Sequence, residues 1–489
     1  MKTKKAIIVG GGIGGIATAI RLSVMGYEVD IFEKNDVAGG KMYLIERDGY
    51  SFDAGPSLFT QPSNIEALFA FAGEPMEAYF TYSPVDIACK YFFENGIKVN
   101  AFTKPESFAD EMKSKTGEDP ANIIRYLKNA ERVYNKVGNI FLNYSLHRLS
   151  TWFHPRVISA MRAIRLPYLL GTLDGFNRKS FKTKEAVQIF NRFATYNGSN
   201  PYKAPGMLSL IPHLEQNEGT FYPKGGMINI PNALIKLAEK KGVRFRVGSE
   251  VEKIVVEDKK AKGIISNGVF FGADVIVSNV DVYYTFKNLL NDSLAANRIL
   301  RNERSSSALI FYWGINRKFP ELHLHNIFFT ADYETEFQHL FEKKKFYGDP
   351  TVYINITSKM EDVHAPEGKE NWFLMVNAPA MQHADWSEEV NYVREAVIEK
   401  LNRMLGVNLK DHIEVEEYLT PGGIQQRTDS YLGSLYGTSS NSKWAAFLRQ
   451  ANFSSEISGL YFTGGSVHPG GGIPLCLKSA SIVCDLINE

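Results

Sequence analysis

Gly10-Gly11-Gly12-Ile13-Gly14-Gly15 decides the fold, because it stands between an apolar run at residues 6–9 and a periodic run that continues to residue 25. Residues 6–9 read as a short buried strand, residues 14–25 as a helix with Ile16, Ile20 and Val24 on one face, and residues 28–33 as a second strand. The glycines satisfy G-x-G-x-x-G through Gly10, Gly12 and Gly15. In a βαβ unit of this kind Gly10 permits the tight turn, Gly12 lets the backbone approach a pyrophosphate, and Gly15 allows the helix to pack closely on the strand. Gly14 lies in the opening turn of the helix, whose free N–H groups and partial positive charge favour phosphate. Glu33 ends the second strand eighteen positions after Gly15, where a carboxylate accepts hydrogen bonds from ribose hydroxyls and repels a 2′-phosphate. A dinucleotide other than NADP is expected.

Two further stretches narrow that dinucleotide to FAD. Ala38-Gly39-Gly40-Lys41 follows Glu33 within one loop, so a second backbone stretch can lie against the ligand while Lys41 adds a cation near its phosphates. At the other end of the chain, Leu460-Tyr461-Phe462-Thr463-Gly464-Gly465-Ser466-Val467-His468-Pro469-Gly470-Gly471-Gly472-Ile473-Pro474 reads as a strand, a glycine turn and the start of a helix. Such a turn presents N–H groups to a flavin ring edge, where negative charge accumulates on reduction, and nominates Gly465, Gly472, Ile473 and Pro474.

The 489 residues exceed one comfortable core, so two interleaved domains are expected. The fold class is α/β: a Rossmann-like FAD-binding domain built from discontinuous segments 1–75, 220–285 and 421–489, with a second α+β substrate domain from 76–219 and 286–420. That second domain should contain an antiparallel sheet, because residues 308–313, 326–330, 351–356 and 372–376 are β-branched or aromatic runs. With 55 basic against 54 acidic residues there is no overall field for gripping nucleic acid, so none is expected as a partner. Cys89, Cys476 and Cys484 form no metal-type pair and fit a reducing, cytoplasmic compartment; the latter two read as small buried hydrophobes on one helix face. His323 and His325 have no third ligand nearby and read as sheet residues, and no metal site is expected.

These pieces resemble the phytoene desaturase family of bacterial carotenoid desaturases, within the wider amine-oxidase-like flavoproteins. The resemblance runs through GGGIGG with Glu33, AGGK at 38–41, FDAGPS at 52–57, GTFYPKGGM at 219–227, ADVIVSN at 273–279 and the C-terminal turn. It implies that Gly55, Pro56 and Ser57 lie near the isoalloxazine, that the Val251 backbone meets the adenine, and that Asn279 approaches the cofactor. The stretches 192–202 and 211–215 and the form GGSVHPGGGIPL are similar to the 1-hydroxycarotenoid 3,4-desaturase branch. Gly465, Ser466, Val467 and Gly471 depart from the phytoene-type turn, which shifts the expected substrate from phytoene to a hydroxylated carotenoid.

The chemistry so implied is removal of a hydride to flavin N5 and of a proton to some sink, with oxygen or a quinone as final electron acceptor. Glu215 and His213 are the candidates for a base or a negative group, and Arg192, Tyr196 and Asn197 for contacts to a substrate hydroxyl. For His213 and Glu215 a helix terminus or an ordinary ion pair is an equally open reading. A phytoene- or lycopene-type desaturase, a flavin-dependent carotene isomerase or saturase, an amine or porphyrinogen oxidase, and a non-enzymatic carotenoid-binding module are the alternatives. Because a carotenoid resides in the bilayer, peripheral contact with a membrane lipid surface is expected. Residues 141–176 interleave Trp152, Phe153, Ile158, Met161, Ile164 and Leu169 with Arg148, Arg156, Arg162 and Arg165, opposed by Asp174. A core helix with a solvated basic face is the competing reading of that stretch.

Overall fold

Lys5–Val9 is a strand with apolar side chains on both faces, and each face has its own cover. In the computed structural model, which describes residues 3–153, 155, 157–159, 168, 171–442 and 449–489, this strand is central to a five-stranded parallel sheet. It pairs with Glu28–Phe32 on one side and Val275–Ser278 on the other, and Arg244–Arg246 and Leu460–Phe462 form the edges. Successive side chains point to opposite faces. Ala6 and Ile8 therefore join a cluster with Ile16 and Ile20 of helix Ile13–Val24 and Leu477, Ala480 and Val483 of the last helix, Ile473–Asn488. Ile7 and Val9 join Val251, Ile254 and Ile264 of a small antiparallel sheet on the other face. Three stretches far apart in sequence thus meet in one sheet, as its edges and centre come from residues 5–32, 244–278 and 460–462.

One detail of the first helix departs from expectation. Ile16 and Ile20 are fully buried, but Val24 is 41% exposed. Each four-residue step overshoots a helical turn by about 40°, so two steps carry Val24 off the core face. Leu22 is fully buried near the end of the same helix.

The second layer is a seven-stranded sheet in the order Ile413–Leu419, Ser307–Ile315, Glu370–Ala378, Val352–Asn355, His325–Phe328, Ile87–Phe92 and Lys98–Phe102. Neighbours are antiparallel except His325–Phe328 beside Ile87–Phe92, which run parallel, so the sheet is mixed at that point. One face, with Leu309, Phe311 and Trp313, packs against Val393, Val397 and Leu401 of helix Ser387–Leu405. The other, with Ala308, Ile310, Tyr312 and Phe373, packs against Tyr50 and Phe52 of the hairpin Tyr43–Arg47 and Tyr50–Ala54. The cavity described below opens between this second face and the parallel sheet, since Ile310, Met375 and Tyr353 line it together with Val9 and Gly10.

Candidate functional site

A single cavity of about 620 Å3 runs from the N-terminus of the first helix into the space under the seven-stranded sheet. Its first half is a backbone cradle. Gly10 holds φ +96°, which opens the turn after Val9, and a side chain on Gly15 would collide with the Gly10 carbonyl. Gly12 is the N-cap of helix Ile13–Val24 and supplies no side-chain cap, so the first N–H groups of that helix stay open toward the cavity. Glu33 is buried at the far end of this groove. Its Oε2 accepts the Gly11 N–H at 2.8 Å, and its Oε1 accepts the Asn35 backbone N–H at 2.9 Å and Nδ2 at 2.6 Å. These bonds fix the carboxylate in the wall.

The two ends of the chain meet at Asn279. Its backbone N–H donates to the Val9 carbonyl at 2.8 Å and its Nδ2 to the Thr463 carbonyl at 3.1 Å. A side chain on Gly14 would lie 3.0 Å from the Gly464 Cα, and one on Gly464 would strike Asn279 Nδ2. Residues 10–15 and 464–474 therefore share one wall. Gly472, at φ +107°, starts the last helix without a side-chain cap, so a second uncapped helix N-terminus, at Ile473 and Pro474, faces the same cavity. Two such termini, a glycine cradle and a buried carboxylate at one end fit an elongated anionic dinucleotide with a ring that gains negative charge.

The remaining cofactor candidates lie along this groove. Gly55, Pro56, Ser57, Val251 and Gly465 line it. Gly55, at φ +100°, sits so close to the Lys41 carbonyl that no side chain fits. Asp53 just before it accepts the N–H groups of Met227 at 2.7 Å and Ile228 at 3.0 Å, which ties the FDAGPS turn to the GTFYPKGGM stretch. Lys41 donates to the Leu435 carbonyl at 2.7 Å. Burial pulls its pKa down to about 8 against the attraction of Asp281 and Cys476. Its protein partners thus come from residues 281 and 435–476, chain regions that its place after the glycine pair did not suggest.

The second half of the cavity is walled by residues 88–89, 134–146, 192–215 and the seven-stranded sheet. Among the described residues, Arg192 and Glu215 are the charged groups that segments 76–219 and 286–420 contribute to this wall. Arg192 Nη2 lies 2.8 and 3.1 Å from the two Glu215 oxygens, Tyr196 donates its hydroxyl to Glu215 Oε2, and Gln216 Nε2 donates to Oε1 at 3.2 Å. Burial opposes the Arg192 charge, but Glu215 and the surrounding tyrosines more than offset it and hold the guanidinium above its ordinary pKa. Burial and then the same carboxylate push the Tyr196 phenol up. Phe193, Tyr91 and Tyr196 present ring faces to the guanidinium at 4.3, 5.3 and 5.3 Å. Asn197 also lines the cavity.

His213 is not brought to this wall. It is buried, with Nδ1 2.9 Å from Asn217 Nδ2 and Nε2 3.3 Å from Glu218, where it closes the end of helix Ile211–Gln216. Two positions apart on a helix, His213 and Glu215 point in different directions. His325, by contrast, is a strand residue, as the sequence implies, and it also lines the cavity. Its Nδ1 lies 2.8 Å from the Tyr353 hydroxyl, which in turn lies 2.8 Å from Ser57 Oγ. The residue at position 325 opens a strand, and strand alternation alone could not say which face would meet a cavity. Cys476 lines the cavity too, whereas Cys484 is buried in the core of the last helix.

In the stretch 141–176, Leu149 is 81% and Phe153 78% exposed, while Trp152 is tied by its Nε1 to the Leu146 carbonyl at 2.9 Å. Arg148 pairs with Glu489, and Asp174 with Arg178 at 2.7 Å. Arg156, Met161, Arg162, Ile164, Arg165 and Leu169 lie outside the described residues. Among the described residues, no helix is long and apolar enough to cross a membrane.

Comparison with known proteins agrees with this geometry. Residues 13–488 match the family described as flavin containing amine oxidoreductase. The chain is 46% identical to the 1-hydroxycarotenoid 3,4-desaturase of Flavobacterium sp. (strain P99-3), covering 99% of both chains. It is 32% identical to the 4,4'-diapolycopene oxygenase of Methylomonas sp, covering 99% of this chain and 98% of that one. Among solved structures, an oxidoreductase from Methanosarcina mazei superposes with a TM-score of 0.62 at 16% identity, over 99% of this chain and 100% of the other, which shows a shared fold.

Proposed function

The chain belongs to the flavin containing amine oxidoreductase family and is a FAD-dependent oxidoreductase, and from that premise we propose that it is a carotenoid desaturase. In this reading it introduces a C=C bond at the 3,4 position of a 1-hydroxylated carotenoid. The observation that carries the proposal is the likeness to the Flavobacterium desaturase along the whole chain, and a dinucleotide groove that opens into a largely apolar, aromatic chamber accords with it.

When bound, FAD supplies the hydride acceptor. The chain's own residues do the rest. Gly10, Gly12, Gly14 and Glu33, with Gly55 to Ser57, Val251, Asn279, Gly465 and the Gly472 to Pro474 turn, all line the groove and would hold the dinucleotide. The apolar chamber aligns the polyene end and excludes water, so that reacting carbons stay at near-attack distance. Arg192, Tyr196 and Asn197 contact the polar end of the substrate. Glu215, whose oxygens already accept from Arg192, Tyr196 and Gln216, is better suited to balancing charge than to taking a proton.

The substrate's home in the bilayer places the enzyme peripherally at the cytoplasmic membrane face, with Leu149 and Phe153 as contacts and oxygen or a quinone as final acceptor. Replacing both residues by glutamate should reduce cosedimentation with liposomes and leave the flavin bound. Undiminished cosedimentation removes these contacts from the reading.

The decisive experiment supplies phytoene, lycopene and a 1-hydroxylated carotenoid, each in liposomes, and analyses products by mass and absorbance. Loss of two hydrogens with a red-shifted spectrum from the hydroxylated substrate is expected. Gain of oxygen would instead align the chain with its oxygenase relatives, and an unchanged mass with isomerisation.

A further inference from the structure

Residues 434–436 hold three cations near the C-terminal glycine turn. Arg304 Nη2 donates to Ser434 Oγ at 2.7 Å and pairs with Asp281, Lys41 donates to the Leu435 carbonyl at 2.7 Å, and Arg449 Nη1 donates to the Tyr436 carbonyl at 2.6 Å. Asp281 attracts Lys41 as well. Arg449 has no such acid: it is buried, it lines the cavity, and among the described residues it pairs with no carboxylate. Its Nε and Nη2 have no hydrogen-bond partner in the protein, and neither is fully enclosed, as the idle Arg192 Nε and Arg304 Nη1 are. Burial, with repulsion from Arg304, pulls its pKa down to about 10, so it keeps its charge at neutral pH. A buried guanidinium without a counter-charge is costly, and a ligand that brings negative charge into the cavity offsets that cost.

We propose that Arg449 is the cation that stabilises the negative charge which the flavin ring gains on reduction. Transfer of two electrons and one proton to the ring leaves one negative charge on it until a second proton arrives, so a fixed cation beside it favours the reduced form. The position separates this role from phosphate binding. The glycine cradle meets the C-terminal turn at its start, where a side chain on Gly14 would lie 3.0 Å from the Gly464 Cα. Arg449 meets the same turn near its end: a side chain on Gly470, at φ +139°, would lie 3.2 Å from Arg449 Nε, and one on Gly471 would strike Tyr436. Gly472 follows directly and opens the uncapped helix Ile473–Asn488. Gln450, next to Arg449, accepts the His468 N–H at 2.9 Å, and His468 Nε2 lies 3.0 Å from the Tyr144 carbonyl in the segment that walls the chamber. Arg449 is thereby held where groove and chamber join, the place a flavin ring must occupy to meet a substrate. Its charge serves any substrate that reduces the flavin, whether or not that substrate is a carotenoid.

The test compares the FAD-loaded parent with Arg449→Met and Arg449→Lys, with flavin content as the check on folding. Three quantities are measured: affinity of the apoprotein for oxidised FAD, the two-electron potential of the bound flavin, and affinity for sulfite, which adds to flavin N5 and leaves a negative charge on the ring. Arg449→Met should disfavour the reduced form by about tenfold, the worth of one hydrogen bond to a charged group, which is a fall of about 30 mV for a two-electron couple. Sulfite should bind more weakly by a similar factor, and oxidised FAD should be affected much less. Arg449→Lys, which keeps the charge, should restore most of both losses. A loss of affinity for oxidised FAD with potential and sulfite binding unmoved would assign Arg449 to the pyrophosphate and overturn the inference, as would no change in any of the three. The parent decides even if a variant folds poorly: its reduced flavin should keep the anionic absorbance at a pH where free reduced FAD takes up the second proton, and protonation at the same pH as free FAD overturns the inference. Failure to desaturate any carotenoid touches none of these readouts and counts against the desaturase reading alone.

Discussion

Glu33 and Glu215 are two buried carboxylates in the wall of one cavity, and they are held in opposite ways. Glu33 takes its partners from the backbone of two nearby turns and from Asn35, none of them charged. Its negative charge is left whole for a ligand. Glu215 takes Arg192, Tyr196 and Gln216, so its charge is cancelled inside the protein. The cofactor end is thus a site made mostly of peptide groups, in turns that each form locally and are then brought together from both ends of the chain, whereas the chamber end is a site made of side chains that neutralise one another. Removing one partner from a buried pair leaves an uncompensated charge, while losing one of several neutral donors does not.

The sharpest way to break the contrast is Arg192→Met, which strands Glu215 as a buried, unpaired carboxylate. It should cost about 3–5 kcal/mol in denaturant unfolding, and Arg192→Met combined with Glu215→Leu should recover most of that loss. If the single variant is as stable as the double, Glu215 was never dependent on its ion pair. At the other end, Glu33→Gln turns one of two accepting oxygens into a donor that faces the N–H of Gly11 or of Asn35, so it should cost about 1–3 kcal/mol of stability and lower FAD affinity by about tenfold or more, read by titrating the apoprotein with FAD. An unaltered affinity would mean that the ligand does not reach Glu33.

A smaller effect comes from the glycine turn. Burial and the neighbouring His147 pull the His468 pKa from 6.5 down to about 4. The unfolded chain then binds more protons than the native one between those values, so this residue contributes a loss of stability as pH falls from about 6.5 toward 4. Glu336, pushed up to about 7 by burial, works with the opposite sign over part of that range. The comparison is therefore between parent and His468→Gln, whose stability should converge or cross as the pH is lowered; parallel curves would contradict a buried neutral His468. The smallest effect on catalysis belongs to His213→Gln. With both ring nitrogens engaged by Asn217 and Glu218, it should cost about 1 kcal/mol of stability and leave turnover unchanged, and a large fall in turnover would return His213 to the site.

Much of the cofactor end was legible from residues because its chemistry is local. A glycine spacing, a strand before it and a carboxylate eighteen positions on are read along a few turns of chain, and the structure places Gly10, Gly12 and Glu33 along one groove. Lys41 shows the limit even there: its partners come from residues 281 and 435–476, which no local pattern names. In the second layer, β-branched runs announced strands but not their neighbours, so the parallel contact of His325–Phe328 with Ile87–Phe92 was invisible.

What the sequence determined by itself is the set of backbone permissions: where glycine lets the chain turn at positive φ, where apolar alternation buries a strand, and where an uncapped helix can meet an anion. What only the tertiary structure decided is which side chains share a volume. Arg192 and Glu215 lie 23 positions apart, and His325 approaches Ser57 through Tyr353, from opposite parts of the chain. Such pairings depend on how layers stack and which face of each strand turns inward, and the free energy of burying a charge or a donor is set only once that stacking is complete.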